Sequence, residues 1–240
     1  MQPGLNRKAL VLGGTGTVGT AVLRELTRRG VTASFSFHSN EAAAKALAAE
    51  FGHTPFAIDL ADPVNLRSAL DAQATPDLVL YCAGVTAAQP LIELGVATWQ
   101  RAIAVNVHAP LQVCQWLAQR RGTPAPDAPP IDVVVVGGLD RTQSLPLPAG
   151  YAATQGALSS LVMALGHELG PVGIRINMVA LGVLEGGTSR DLASRRRRDY
   201  ETFSALRRIG TATEAAKAIA WLGLENTYIQ GKVVPVNGGI

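Results

Sequence analysis

The segment Lys8-Ala-Leu-Val-Leu12-Gly13-Gly14-Thr15-Gly16-Thr17-Val18-Gly19 runs from a short apolar strand into a glycine-rich turn and then into a helical pattern. Gly14, Gly16 and Gly19 satisfy G-x-G-x-x-G. Such a turn lets the backbone bend sharply, approach a pyrophosphate and aim the first N–H groups of the following helix at it. A tight turn with no ligand uses the same residues. The nucleotide reading gains weight from the position directly after the first strand of an alternating chain, and it selects Gly13, Thr15, Gly16, Thr17, Val18 and Gly19 as candidate cofactor contacts.

Working outward, strands are predicted at Lys8–Leu12, Thr32–Phe37, Thr54–Ile58, Leu78–Tyr81, Ile131–Val136, Ile174–Val179 and Lys232–Val236. Helical patterns fall near 17–29, 40–51, 63–73, 97–121, 151–169 and 212–224. Alternation of this kind predicts a doubly wound α/β fold: a seven-stranded parallel sheet, Rossmann-like, with helices on both faces. The run Val133-Val134-Val135-Val136 suits a central strand buried on both faces. Residues 1–240 are expected to form one domain, the Pro-rich stretch 122–130 being a surface loop between a helix and a strand. In the helix near 151–169, Leu158, Leu161, Val162, Leu165 and Leu169 make one apolar stripe, and Tyr151 and Gln155 share a face near its start.

The composition, 48% hydrophobic and 16% charged over 240 residues, is that of a packed globule. No apolar run reaches the roughly 20 residues of a membrane helix, and residues 1–8 carry no apolar signal region, so no membrane association and a cytoplasmic location are expected. Cys82 and Cys114 lack metal-ligand spacing and read as buried thiols; His38, His53, His108 and His167 are scattered, and no metal site is expected. The net charge of +3 is local: residues 190–208 hold seven arginines against Asp191, Asp199 and Glu201. General nucleic-acid binding is therefore not expected.

The end of the second strand is where an adenosine ribose would lie. It reads Phe37-His38-Ser39-Asn40, with no acidic residue to bind both ribose hydroxyls as an NAD site usually does. Ser39 and Asn40 offer hydrogen bonds to a 2′-phosphate, and His38 adds charge when protonated, which favours NADP(H) over NAD(H). Ser39 or Asn40 equally suits the N-cap of the next helix.

In these motifs the chain resembles the short-chain dehydrogenase/reductase family over nearly its whole length, and most the 3-oxoacyl-[acyl-carrier-protein] reductase branch. Asp59-Leu60 matches the family's adenine contact, Cys82-Ala83-Gly84 the end of its Asn-Asn-Ala-Gly motif, and Asn106 the asparagine of its long helix. Tyr151 matches the catalytic tyrosine, Ile174-Arg-Ile-Asn177 the I-R-V-N run, and Tyr228-Ile-Gln-Gly231 through Val236-Asn237-Gly238-Gly239 the last strand. The resemblance implies that Asp59, Leu60, Ala83, Gly84 and Leu184 touch the cofactor and that Tyr151, Gln155 and Asn106 occupy catalytic positions. In the family the tyrosine gives a proton to a carbonyl as hydride arrives, a serine binds the substrate oxygen, a lysine four residues after the tyrosine lowers its pKa, and the asparagine supports a water relay.

The departures fall on that chemistry. The serine position is Gly138, the lysine position Gln155, and the Pro-Gly pair Leu181-Gly182. The usual threonine falls on Gly186 with Thr188 close by, the middle glycine of the usual loop is Thr17, and the loop has no basic residue. Asp140, Arg141, Thr142 and Ser144 border the expected substrate site and are candidate replacements for the missing groups, or simply a solvated loop. The stretch around 185–210 is expected to form a mobile substrate lid. Its run Arg195–Arg198, and Arg120-Arg121 elsewhere, suit an acidic acyl carrier protein or a phosphorylated substrate; a solvated surface explains them equally.

Three functions follow. The first is an NADP(H)-dependent ketoreductase-type oxidoreductase with weakened or rewired catalysis, acting on a small-molecule or carrier-bound 3-oxoacyl group. The second is a non-catalytic homologue that partners an active reductase or senses nucleotide. The third is a non-redox isomerase or cyclase using the same pocket. The resemblance also implies a homodimer or homotetramer, or a hetero-oligomer with an active family member.

Overall fold

The computed structural model describes residues 7–125, 127–138, 147–189 and 194–240. The strands are β1 (Lys8–Leu12), β2 (Thr32–Phe37), β3 (Thr54–Ala57), β4 (Leu78–Tyr81), β5 (Ile131–Gly138), β6 (Ile174–Leu181) and β7 (Val233–Val236). They form one seven-stranded sheet in the order β3-β2-β1-β4-β5-β6-β7, and every pairing is parallel. Chain order reverses between β1 and β4, which opens a crevice at the carboxyl ends of those strands.

The helices are α1 (Thr17–Arg28), α2 (Glu41–Phe51), α3 (Pro63–Asp71), α4 (Val96–Ile103), α5 (Ala109–Arg121), α6 (Ala149–Leu169), α7 (Ser194–Phe203) and α8 (Ala212–Leu224). α1, α2 and α8 bury Leu23, Leu47 and Ile219 against one face of the sheet. α3 and α5 bury Leu66 and Trp116 against the other, joined there by Leu158, Val162 and Leu165 of the α6 stripe. With both faces covered, the central strands are mostly apolar, and β4 is buried along its whole length.

The differences from the sequence reading are local. β5 and β6 each run two residues further than predicted, to Gly138 and Leu181, where they pair with each other. The predicted helix over 97–121 is divided into α4 and α5 by a π-helical turn at Ala104–His108. Pro110, in the first turn of α5, has no N–H to continue a regular ladder. The start of α6 lies at Ala149, ahead of Tyr151. At the opposite end of the sheet, the buried Asp132 pairs with Arg7 (2.7 Å) and Arg175 (2.7 Å) and ties β5, β6 and the start of β1 together.

Candidate active site

The crevice at the strand ends is a cleft of about 860 Å³. The β1–α1 turn forms its floor on one side. Gly13 has φ +85°, and a Cβ there would lie 2.8 Å from the Ala83 backbone, so the turn and the end of β4 meet at a distance only glycine allows. The Gly13 N–H donates to Ser36 Oγ (2.9 Å), and the Gly14 N–H donates to the Ser36 carbonyl (2.9 Å). Gly16 is the N-cap of α1 with no side-chain cap, so the first N–H groups of that helix have no internal partner. Thr15, Gly16, Thr17 and Val18 line the cleft beside them. An uncapped helix start beside an open glycine turn fits a pyrophosphate. Gly19 does not line the cleft; it keeps α1 against the turn, since a Cβ there would sit 2.1 Å from the Gly13 carbonyl oxygen.

His38, Asp59 and Leu60 line the cleft at the ends of β2 and β3. Ser39 and Asn40 are exposed and do not line it. Asn40 Oδ1 accepts from the Ala43 N–H (3.1 Å) and caps α2, the second of the two roles its sequence position allows. Asp59 is bracketed: His38 Nε2 lies 3.6 Å from one carboxylate oxygen and Arg101 Nη2 3.5 Å from the other. A backbone N–H bond from Ala61, then the charges of Arg101 and His38, hold its carboxyl below the usual range against the opposing effect of burial.

The centre of the cleft is lined by Ala83, Gly84, Asn106, Gly138, Tyr151 and Gln155. Tyr151 and Gln155 project from α6, one turn apart. A Cβ at Gly138 would lie 1.9 Å from the Tyr151 hydroxyl, so that hydroxyl fills the space a side chain at 138 would need. Gln155 is buried and turns its Oε1 to the Gly138 N–H (2.8 Å), binding the end of β5. Burial pushes the Tyr151 phenol up to about 12. The chain's four lysines line no part of the cleft; among the described residues its lining cations are Arg101 and Arg196, with His38 when protonated.

Asn106 sits in the π-helical turn. Its Oδ1 accepts from the Val85 N–H (3.0 Å), and its Nδ2 donates to the Val85 carbonyl (2.8 Å) and Thr154 Oγ1 (3.2 Å). Thr154 Oγ1 in turn donates to the Tyr151 carbonyl (3.0 Å). Asn106 thus joins the loop after β4 to the helix that carries Tyr151.

Leu184 lines the far side, with Arg196, Asp199, Tyr200 and Phe203 from α7. Their spacing puts one face of α7 over the cleft, and the Tyr200 hydroxyl anchors that helix by donating to the Asn237 carbonyl (2.6 Å). Asp140, Arg141, Thr142 and Ser144 lie outside the described residues, as does the part of the expected lid over 190–193. Among the described residues no group of three or more His, Cys, Asp or Glu is placed to hold a metal, and no helix is long and apolar enough to cross a membrane.

Sequence reasoning missed Ser36, Thr154, Arg101 and Tyr200. Each acts through a partner brought to it by the fold, and none stands in a recognisable motif.

This strand order, with a glycine turn at the reversal point, defines a dinucleotide-type α/β protein. A family model described as enoyl-(acyl carrier protein) reductase matches residues 14–240, and the chain belongs to the short-chain dehydrogenase/reductase family. It is 28% identical over 234 residues to the cyclic-di-GMP-binding biofilm dispersal mediator protein of Escherichia coli K12, covering 97% of this chain and 96% of that one. It is 28% identical over 248 residues to acetoacetyl-CoA reductase of Allochromatium vinosum, covering 98% of each. The crystal structure of BdcA in complex with NADPH superposes with a TM-score of 0.86 at 25% identity, covering 98% of this chain and 95% of that one.

Proposed function

We propose that the cleft binds NADP(H) and that the protein is a slow ketoreductase-type oxidoreductase acting on the carbonyl of an acyl thioester, free or carrier-bound. The observation that carries this reading is the Tyr151 hydroxyl, set in the centre of the cleft on the same wall as the Gly138 end of β5. The uncapped start of α1 and the solved NADPH complex of a similar protein support the cofactor. The relative named acetoacetyl-CoA reductase supports the substrate class. A cytoplasmic location and an assembly of two or four copies belong to the same reading.

When bound, the nicotinamide supplies the hydride. Tyr151 holds the proton that the carbonyl oxygen takes up. A phenol near 12 stays protonated at neutral pH, so the donor is fully loaded, but it is a weak acid and the step is slow. The missing serine hydroxyl removes a second donor, worth roughly 2.7–4 kcal/mol in a comparable oxyanion site.

Reduction uses the neutral phenol and is flat in pH through the neutral range. Alcohol oxidation uses the phenolate, so its rate rises about tenfold per pH unit with no plateau short of the raised pKa. The experiment measures NADPH binding by tryptophan fluorescence, then NADPH consumption with acetoacetyl-CoA. Tyr151→Phe is expected to abolish consumption and leave binding within about threefold. Absence of turnover with any acyl thioester would count decisively against catalysis.

A second reading, a non-catalytic subunit or nucleotide sensor, is favoured by the Gln155–Gly138 bond, which commits the residue at the lysine position to the protein's own backbone. It expects NADPH binding without turnover, and co-purification with a homologue that has the complete triad.

A further inference from the structure

We propose that Gln155 is a second hydrogen-bond donor to the substrate's carbonyl oxygen, its Nε2 standing in for the serine hydroxyl that Gly138 lacks. The inference rests on the ketoreductase reading of the cleft and gives that reading a further catalytic residue. Gln155 lines the cleft from α6, yet only 7% of it is exposed. Chemistry fixes which way its amide is turned. The Gly138 N–H can only donate, so the amide oxygen is the half that faces β5 (2.8 Å). The two N–H groups of Nε2 then have no acceptor among the described residues, and that atom is not sealed away from the cleft. A donor left open on so buried a side chain calls for an acceptor from a ligand.

The glycine pair at the end of β5 makes the arrangement possible. A Cβ at Gly137 would lie 2.8 Å from Gln155 Oε1, and one at Gly138 would overlap the Tyr151 hydroxyl. Each glycine clears space for one of the two groups, and both groups end on the wall where the family's serine would stand. Met178 and Leu158 close on the Gly137 position as well, so the surroundings of the amide are apolar. Anchored to β5, the amide has its reach set by Gly138 rather than by free rotation. As hydride reaches the carbonyl carbon, charge grows on the oxygen. Tyr151 gives that oxygen its proton and Gln155 gives it a hydrogen bond; no bond to Gln155 forms or breaks. A donor fixed in place before charge develops is the kind that stabilises an oxyanion. Being neutral, it does so without acidifying the phenol as a lysine would.

The test compares the wild type with Gln155→Glu and Gln155→Met. Gln155→Glu keeps an oxygen for the Gly138 N–H and, when ionised, has no donor. Gln155→Met removes both halves of the amide without adding charge. With acetoacetyl-CoA, kcat should fall by about 10²- to 10³-fold in both variants, the loss of one oxyanion donor, while calorimetric NADPH affinity stays within about threefold. Calorimetry on the NADP⁺-loaded protein should also show the preference for acetoacetyl-CoA over butyryl-CoA, which lacks the 3-oxo group, shrinking about three- to tenfold. A wild-type rate in Gln155→Glu would make the residue a prop for β5 and overturn the assignment. So would a loss of NADPH affinity with the 3-oxo preference unchanged, which would place Nε2 on the cofactor. A wild type that binds NADPH without turnover would strike the reductase reading alone; the 3-oxo preference then decides the assignment, and its absence in the wild type would overturn it.

Discussion

Gly138 has no side chain, and the Tyr151 hydroxyl occupies the volume one would need. Restoring the family's serine is therefore not a simple addition. Gly138→Ser must displace the Tyr151 ring or the end of β5, at a cost of about 1–3 kcal/mol for an overpacked site, and thermal melting should show it. Gln155→Lys acts in the opposite sense on chemistry. An ammonium beside Tyr151 stabilises the phenolate, so the phenol should titrate below the present value of about 12 in an ultraviolet titration. The same change removes the acceptor for the Gly138 N–H, so a modest loss of stability, about 1 kcal/mol, should accompany it. At this scale the sequence showed which residues were missing, because Tyr151 provides a register for Gly138 and Gln155. It did not show that the remaining residues had closed over the gap.

The break between α4 and α5 belongs to the scale of the element. Asn106 there satisfies both backbone groups of Val85 and reaches Thr154. Asn106→Ala should cost about 1–3 kcal/mol, the penalty for leaving buried polar groups unpaired, and should loosen the start of α6, seen as faster amide exchange around Tyr151. The periodicity predicted one long helix over 97–121 because a π-helical turn adds a residue without changing the apolar pattern enough to notice. The glycine turn was legible because its residues are consecutive. The Asp59–Arg101 contact was not, because its partners come from separate elements.

Acid stability is a property of the whole molecule. His53 is buried, its Nδ1 accepting from the Ala33 N–H and its Nε2 facing the Leu23 carbonyl, and burial lowers its pKa below 6.5. The unfolded chain takes a proton that the folded chain resists, so stability is intact above 6.5 and declines as pH falls through it. Glu25, hydrogen-bonded by Arg28 and Arg29, is held at about 2 against an ordinary 4.5. Its contribution is present above 4.5 and is lost as pH falls towards 2. Melting temperatures should therefore fall in two stages below neutrality, and His53→Gln should remove the first.

The amino-acid sequence by itself determined the alternation of strands and helices, the glycine turn and its place after the first strand, and the identities at 138, 151 and 155. Those are properties of neighbours in the chain, where periodicity and spacing act. Only the tertiary structure decided that the Tyr151 hydroxyl fills the space at Gly138, that Gln155 binds the end of β5, and that Arg101 faces Asp59. Each of these depends on side chains brought together by sheet order and helix packing, and no local pattern encodes such distances.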